Sequence, residues 1–100
     1  MAKLKLTKED KAWALKVKER DGFKCIVCGS KLYLNSHHLF PRERKDTKFD
    51  LSNGVTLCVK HHMFSRILSA HNNPIEFFLW LQKNRIEQWN YILKRSLNEI

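Results

Sequence analysis

The chain has 100 residues, 43% hydrophobic and 29% charged, and its 19 Lys plus Arg against 10 Asp plus Glu leave a net charge of +9. This composition excludes a disordered tail and describes one small domain, which buries only about two-thirds of its unfolded surface and gains from a metal or a partner. The longest apolar run, Phe77 to Leu81, is too short to span a bilayer, and the opening Met-Ala-Lys-Leu-Lys-Leu shows no apolar export segment, so a cytoplasmic protein with a polyanionic partner and no membrane is expected.

The basic excess is uneven: residues 1–48 hold 13 basic and 6 acidic side chains, +7 of the total. Thr7 with Asp10 three residues later is a helix-start pattern, and Trp13, Ala14 and Val17 recur at helical spacing with Leu15 beside them. The spacing predicts a helix over 8–20, stopped at Asp21-Gly22. Cys25-Ile-Val-Cys28-Gly29 is a tight knuckle, and Lys31 to Leu39 reads as extended until Pro41 ends it. Arg42 to Asn53 is polar loop, Val55-Thr56-Leu57 a short strand, and Cys58 to about Leu68 a turn plus helix. Asn73-Pro74-Ile75-Glu76 starts a further helix, with Asn as cap and Pro first. The aromatics after it (Phe77, Phe78, Trp80, Trp89) are expected to pack helices. The order is helix, two strands, then helices: an α+β domain divided into 1–22, 23–68 and 69–100.

Three cysteines, an odd number with no export signal, argue against a disulfide framework and, beside histidines, for metal. Cys25 and Cys28 are two residues apart, as are Cys58 and His61, and 29 residues separate the pairs. Two such knuckles clamp one tetrahedral zinc, because a two-residue gap lets one turn present both ligands to one ion. A structural zinc supplies folding free energy on the order of 10 kcal/mol, which compensates for a small core.

Between and beside the knuckles lie His37-His38 and His61-His62. With His61 on zinc, His37, His38 and His62 remain for a second task. Neighbours on a strand face opposite ways, so His37 and His38 are expected to divide the labour, one on a metal and one on a proton. Asn53, just before the second strand, is either a turn residue or a hydrogen-bond partner fixing a histidine tautomer.

Taken in order, Cys25-x-x-Cys28, His37-His38-x-x-Pro41-Arg42, Asn53 and Leu57-Cys58-x-x-His61-His62 resemble the HNH endonuclease family over residues 13–68. The segment Ser69-Ala70-His71-Asn72-Asn73-Pro74 and its Phe/Trp-rich helix look like the small phage-encoded members, which implies the host cytoplasm and phage packaging proteins as companions. The resemblance implies a ββα-metal unit, two antiparallel strands and a helix around a catalytic ion. It implies metal-dependent hydrolysis of DNA phosphodiesters, double-stranded DNA above all. His37 and His62 would ligate the catalytic ion, His38 would be the general base, and Asn53 would orient His38. Magnesium or manganese is expected there, with nickel or zinc as alternatives. Arg42, Arg44, Lys45 and Lys48 would grip phosphates, with Lys8, Lys11, Lys16 and Lys18 widening the grip. The chain departs from the family at Arg66, where a further ligand histidine is common; His71 is a candidate replacement. It departs again at His61, which stands where Cys is commoner. Rival readings are a non-catalytic zinc-ribbon nucleic-acid-binding module and an accessory protein of a packaging complex.

Overall fold

A computed structural model of the chain describes residues 6–65 and 68–97, so Arg66 lies outside the described residues. Helix α1 (Lys8–Arg20) precedes strand β1 (Leu34–His38), a 3-10 turn (Leu51–Asn53) and strand β2 (Gly54–Cys58). A single π turn (Lys60–Phe64) and helices α2 (Pro74–Asn84) and α3 (Ile86–Leu97) follow. The domain is α+β, with a two-stranded antiparallel sheet, and none of its described helices is long and apolar enough to cross a membrane.

Helix α1 begins as its sequence dictates. The Thr7 hydroxyl accepts from Asp10 N at 3.1 Å while the Asp10 carboxylate accepts from Thr7 N at 2.8 Å, a reciprocal capping box. Trp13 and Val17 are the apolar residues it buries; Leu15 points outward. Pro74 opens α2, but the Asn73 side chain makes no capping hydrogen bond, contrary to expectation. Pro at the first position already removes one of the N–H groups that a cap would satisfy.

The sheet register explains how two neighbouring histidines reach different surroundings. His37 pairs with Val55 and His38 with Gly54. Val55 and Leu57 join Phe77 and Leu81 of α2 in the core. The other face of β2 lies under α1, where a Cβ on Gly54 would come within 2.5 Å of the Trp13 ring and 2.6 Å of Val17. Only glycine lets α1 approach this closely. The first predicted strand is shorter than Lys31–Leu39 because Tyr33 takes φ 53° and breaks the extended run.

The expected helix after Cys58 is a further correction. Ser65 N donates to Lys60 O at 2.7 Å, closing a π turn. The carbonyls of His61 and His62 then accept from Ala70 N at 2.9 Å and His71 N at 3.0 Å, so they bind a returning chain rather than a helix continuation.

Asp21 joins three elements. Its side chain, 1% exposed, pairs with Arg20 at 2.9 Å and Arg85 at 3.1 Å and accepts from Thr56 N at 2.9 Å. Burial pushes this carboxyl up, but the arginine and backbone hydrogen bonds outweigh burial and hold it below its ordinary value. A lowered folded-state value contributes stability above the unfolded value of 3.8, and that stability is lost as pH falls through the folded value. Asp21→Asn is expected to cost about 2 kcal/mol at neutral pH, because it leaves two arginines short of a partner. Thermal melts across acid pH should show the variant's curve flatter than wild type; parallel curves would refute the assignment.

Candidate metal centres and active site

The two knuckles meet. Cys28 Sγ lies 3.7 Å from Cys58 Sγ, Cys58 Sγ 3.4 Å from His61 Nδ1, and Cys25 Sγ 3.8 Å from His61 Nδ1. A tetrahedral zinc with ordinary Zn–S and Zn–N bonds has ligand–ligand edges of about 3.4–3.8 Å, so these spacings suit an ion at the centre. The sulfurs are too far apart for a disulfide, and all three cysteines are free. Burial pushes the Cys25 thiol up, yet backbone N–H groups of Cys58, Cys28 and Val27 hold it below its ordinary value, which favours the thiolate a metal needs. Burial, with Lys60 alongside, lowers His61, leaving a neutral imidazole as ligand. This Cys3His group is compatible with zinc.

A second group lies on the other side of the same turn. His62 Nε2 is 3.1 Å from His37 Nδ1 and 3.0 Å from His71 Nε2, and the three nitrogens fall within 4.8 Å of one another. Three imidazoles around one ion have nitrogen–nitrogen edges of about 3.3 Å, close to those seen. Without an ion, one N–H cannot serve two converging lone pairs, and the buried His62 Nδ1 has no hydrogen-bond partner among the described residues. Burial, reinforced by His62 and His71, pushes His37 down to about 3, and burial likewise lowers His62. Both therefore stay neutral and ready to ligate at ordinary pH. His71 was a bare candidate in the sequence. Nothing in its spacing announces it; the backbone bonds from Ala70 and His71 to the π turn carry it in.

His38 faces the other way. Its ring stacks on Trp13 at 3.9 Å between centroids and 9° between planes, and its Nε2 lies 3.0 Å from Lys48 O. A carbonyl only accepts, so Nε2 carries the hydrogen and Nδ1 keeps its lone pair. Among the described residues Nδ1 has no hydrogen-bond partner. Burial leads the effects that lower His38, so the ring is neutral near pH 7. Trp13 is itself fixed, its Nε1 donating to Asp50 O at 2.9 Å. Sequence reasoning assigned Trp13 to packing and missed that it clamps a histidine; Gly54, opposite His38, leaves room for the ring.

Among the described residues no hydrogen bond joins the Asn53 side chain to His38, which corrects the expected one. Its side chain accepts from Phe40 N at 2.7 Å and donates to Phe40 O at 3.2 Å, closing the loop between the strands. Its buried amide thus holds the loop that carries Lys48 and the Lys48 carbonyl. The four loop cations also part. Arg42 and His38 line one cleft of about 410 Å³ with Lys11 and Lys18. Arg42 and Lys48 each lie 3.5 Å from the Asp10 carboxylate. Arg44 turns away to Asp46 at 2.8 Å and to the Arg95 carbonyl of α3, and Lys45 is exposed.

Searches against family models, curated proteins and solved structures find no match for the chain.

Metal analysis of purified protein should find about two ions per chain, and His71→Ala should bring this to about one without abolishing cooperative melting. Cys28→Ser or strong chelation should collapse the melt. Retention of both ions by His71→Ala, or an unchanged melt after chelation, would refute the respective centre.

Proposed function

We propose that this chain is a metal-dependent DNA endonuclease of the HNH kind, with His38 as general base, the His37–His62–His71 group as the catalytic metal site and the Cys3His group as a structural zinc site. The observation that carries the reading is a neutral, doubly fixed His38 at the end of β1, next in sequence to a ligand of the imidazole group and in one cleft with Arg42. Because His38 and the imidazole group lie on opposite faces of β1, this reading requires the scissile phosphate to sit at the end of the strand, where an ion held by His37, His62 and His71 would stabilise the charge that develops on the phosphate and on the departing oxygen. His38 Nδ1 takes a proton from the attacking water, whose oxygen bonds to phosphorus as the bond to the 3′ oxygen breaks. The Lys48 carbonyl, accepting from Nε2, stabilises the imidazolium that results. The 3′ oxygen leaves as a hydroxyl after taking a proton from solvent, and the phosphate stays on the 5′ end. Arg42 is placed to hold a phosphate oxygen, exchanging Asp10 for it.

Three imidazoles with no carboxylate among them suit manganese, nickel or zinc better than magnesium, which prefers oxygen ligands. The magnesium expectation therefore gives way to a transition ion. A second reading has support from one feature: the imidazole group also staples the π turn to residues 69–71, as a second structural ion would. Under that reading the protein binds DNA without cutting it.

Supercoiled plasmid incubated with zinc-loaded protein should be nicked when manganese or nickel is added. His38→Ala should cut at least about a hundredfold more slowly. Absence of metal-dependent nicking, with salt-sensitive DNA binding intact, would leave the binding module instead. Trp13→Leu should lower kcat on the order of tenfold with little change in KM, and Trp13→Phe should restore most of it. Equal kcat in Trp13→Leu and wild type would remove Trp13 from the site.

A further inference from the structure

Among the described residues, the non-glycine positions with positive φ are Phe23 and Tyr33, each at 53°, and both are exposed aromatics. They bracket the first knuckle. This backbone region is unfavourable for a bulky side chain and persists where the surroundings impose it. At Tyr33 the imposing contact is Val59 N donating to Tyr33 O at 3.0 Å, which extends the β1–β2 pairing by one residue. The strain does not serve packing. The Tyr33 side chain is 79% exposed, Leu32 beside it is 68% exposed, and the Tyr33 hydroxyl has no hydrogen-bond partner among the described residues. Lys31 lies two positions before Tyr33 and Lys60 one position beyond its backbone partner Val59, both are exposed, and no acidic residue lies between positions 22 and 42.

A solvent-exposed phenol ring with two exposed lysines close to it along the paired backbone matches a nucleobase beside its phosphates. Base pairs inside a duplex have both faces covered by neighbours, so the ring has a free partner only where bases are unpaired. We infer that Tyr33, with Leu32, Lys31 and Lys60, forms a stacking site for an unpaired nucleobase. From Tyr33 to His38 is five strand residues, about 16 Å. At the duplex rise of about 3.4 Å per nucleotide, which an unpaired strand equals or exceeds, the stacked base lies at most about five nucleotides from the bond under attack. The site thus selects nucleic acid with a single-stranded stretch on one side of the cut. This deepens the nuclease reading and rests on it only for the distance to the cut; the stacking itself is independent of cleavage.

Fluorescence anisotropy with zinc-loaded full-length protein, no further metal added, tests it on a labelled oligothymidylate and on a fully paired duplex. Tyr33→Phe should bind the oligothymidylate like wild type. Tyr33→Gly, and Tyr33→Asn as a second variant tolerant of this backbone, should bind it at least about fivefold more weakly, with duplex affinity unchanged. The melting temperature of Tyr33→Gly should not fall, because glycine accepts this φ without strain. Unchanged oligothymidylate binding in both variants overturns the inference. So does an equal loss on oligothymidylate and duplex, or a loss that tracks a lowered melting temperature. Release from anionic phospholipid vesicles with oligonucleotide binding intact also overturns it, in favour of a membrane contact. Because no cleavage is read, a protein that nicks no plasmid still reports on this site.

Discussion

The carbonyls of His61 and His62 accept hydrogen bonds from Ala70 and His71 at 2.9 and 3.0 Å, and the turn held this way serves two different groups with consecutive residues. Neighbours on a helical turn point in different directions, so His61 reaches the cysteines while His62 reaches His37. The two candidate centres are therefore not independent. Whatever fixes His61 against Cys25 and Cys58 also fixes the backbone from which His62 projects. In a chain this small, where eight hydrophobic residues form the main buried cluster of the described residues, an ion at the first group would set the geometry of the second.

A second constraint is electrostatic. The chain carries +9, and three of its carboxylates, Asp10, Asp21 and Asp50, act as joints between elements. Asp21 ties Arg20 and Arg85 across the ends of α1 and α2. Asp10 caps α1 and draws in Arg42 and Lys48; the Thr7 N–H leads the contacts that hold its carboxyl below the ordinary value. Asp50 accepts from the Tyr91 hydroxyl at 2.7 Å and pairs with Arg95, fastening α3 to the loop whose Lys48 carbonyl meets His38. Asp10 and Asp21 are buried and Asp50 half-buried, while much of the cationic charge stays outside. The result is a surface suited to phosphate, with rigidity drawn from pairs that a high-dielectric exposure would weaken.

Local signals in the sequence proved readable where the interaction itself is local. The Thr7–Asp10 box, the two knuckles and both strands follow from spacings of a few residues. The opposite facing of His37 and His38 follows from strand alternation alone, and the register adds which helix each one meets. What escaped the sequence depends on partners far along the chain. Asn53 looked free to serve a histidine, but its amide is taken by the Phe40 backbone thirteen positions away. Arg44 looked like a phosphate grip, yet the carbonyl end of α3 claims it. Trp13 looked like ordinary core because the pattern that buries an indole is the same whether it faces leucine or imidazole.

The π turn shows why His71 could be named from the sequence only as a candidate. In an α-helix after Cys58, the carbonyls of His61 and His62 would accept from residues 65 and 66, and a ligand one turn on would sit at position 66. Here Ser65 N bonds back to Lys60, five residues earlier, so the carbonyls of His61 and His62 are free to accept from residues 70 and 71. The widened turn removes the helical route to a third imidazole and supplies a backbone route in its place. His71 then arrives by main-chain pairing rather than by side-chain periodicity, and it remains the exposed member of its group. An ion held there is bounded by two partly buried imidazoles and one at the surface. Under the proposed nuclease reading, the surface side is where a phosphate would have access.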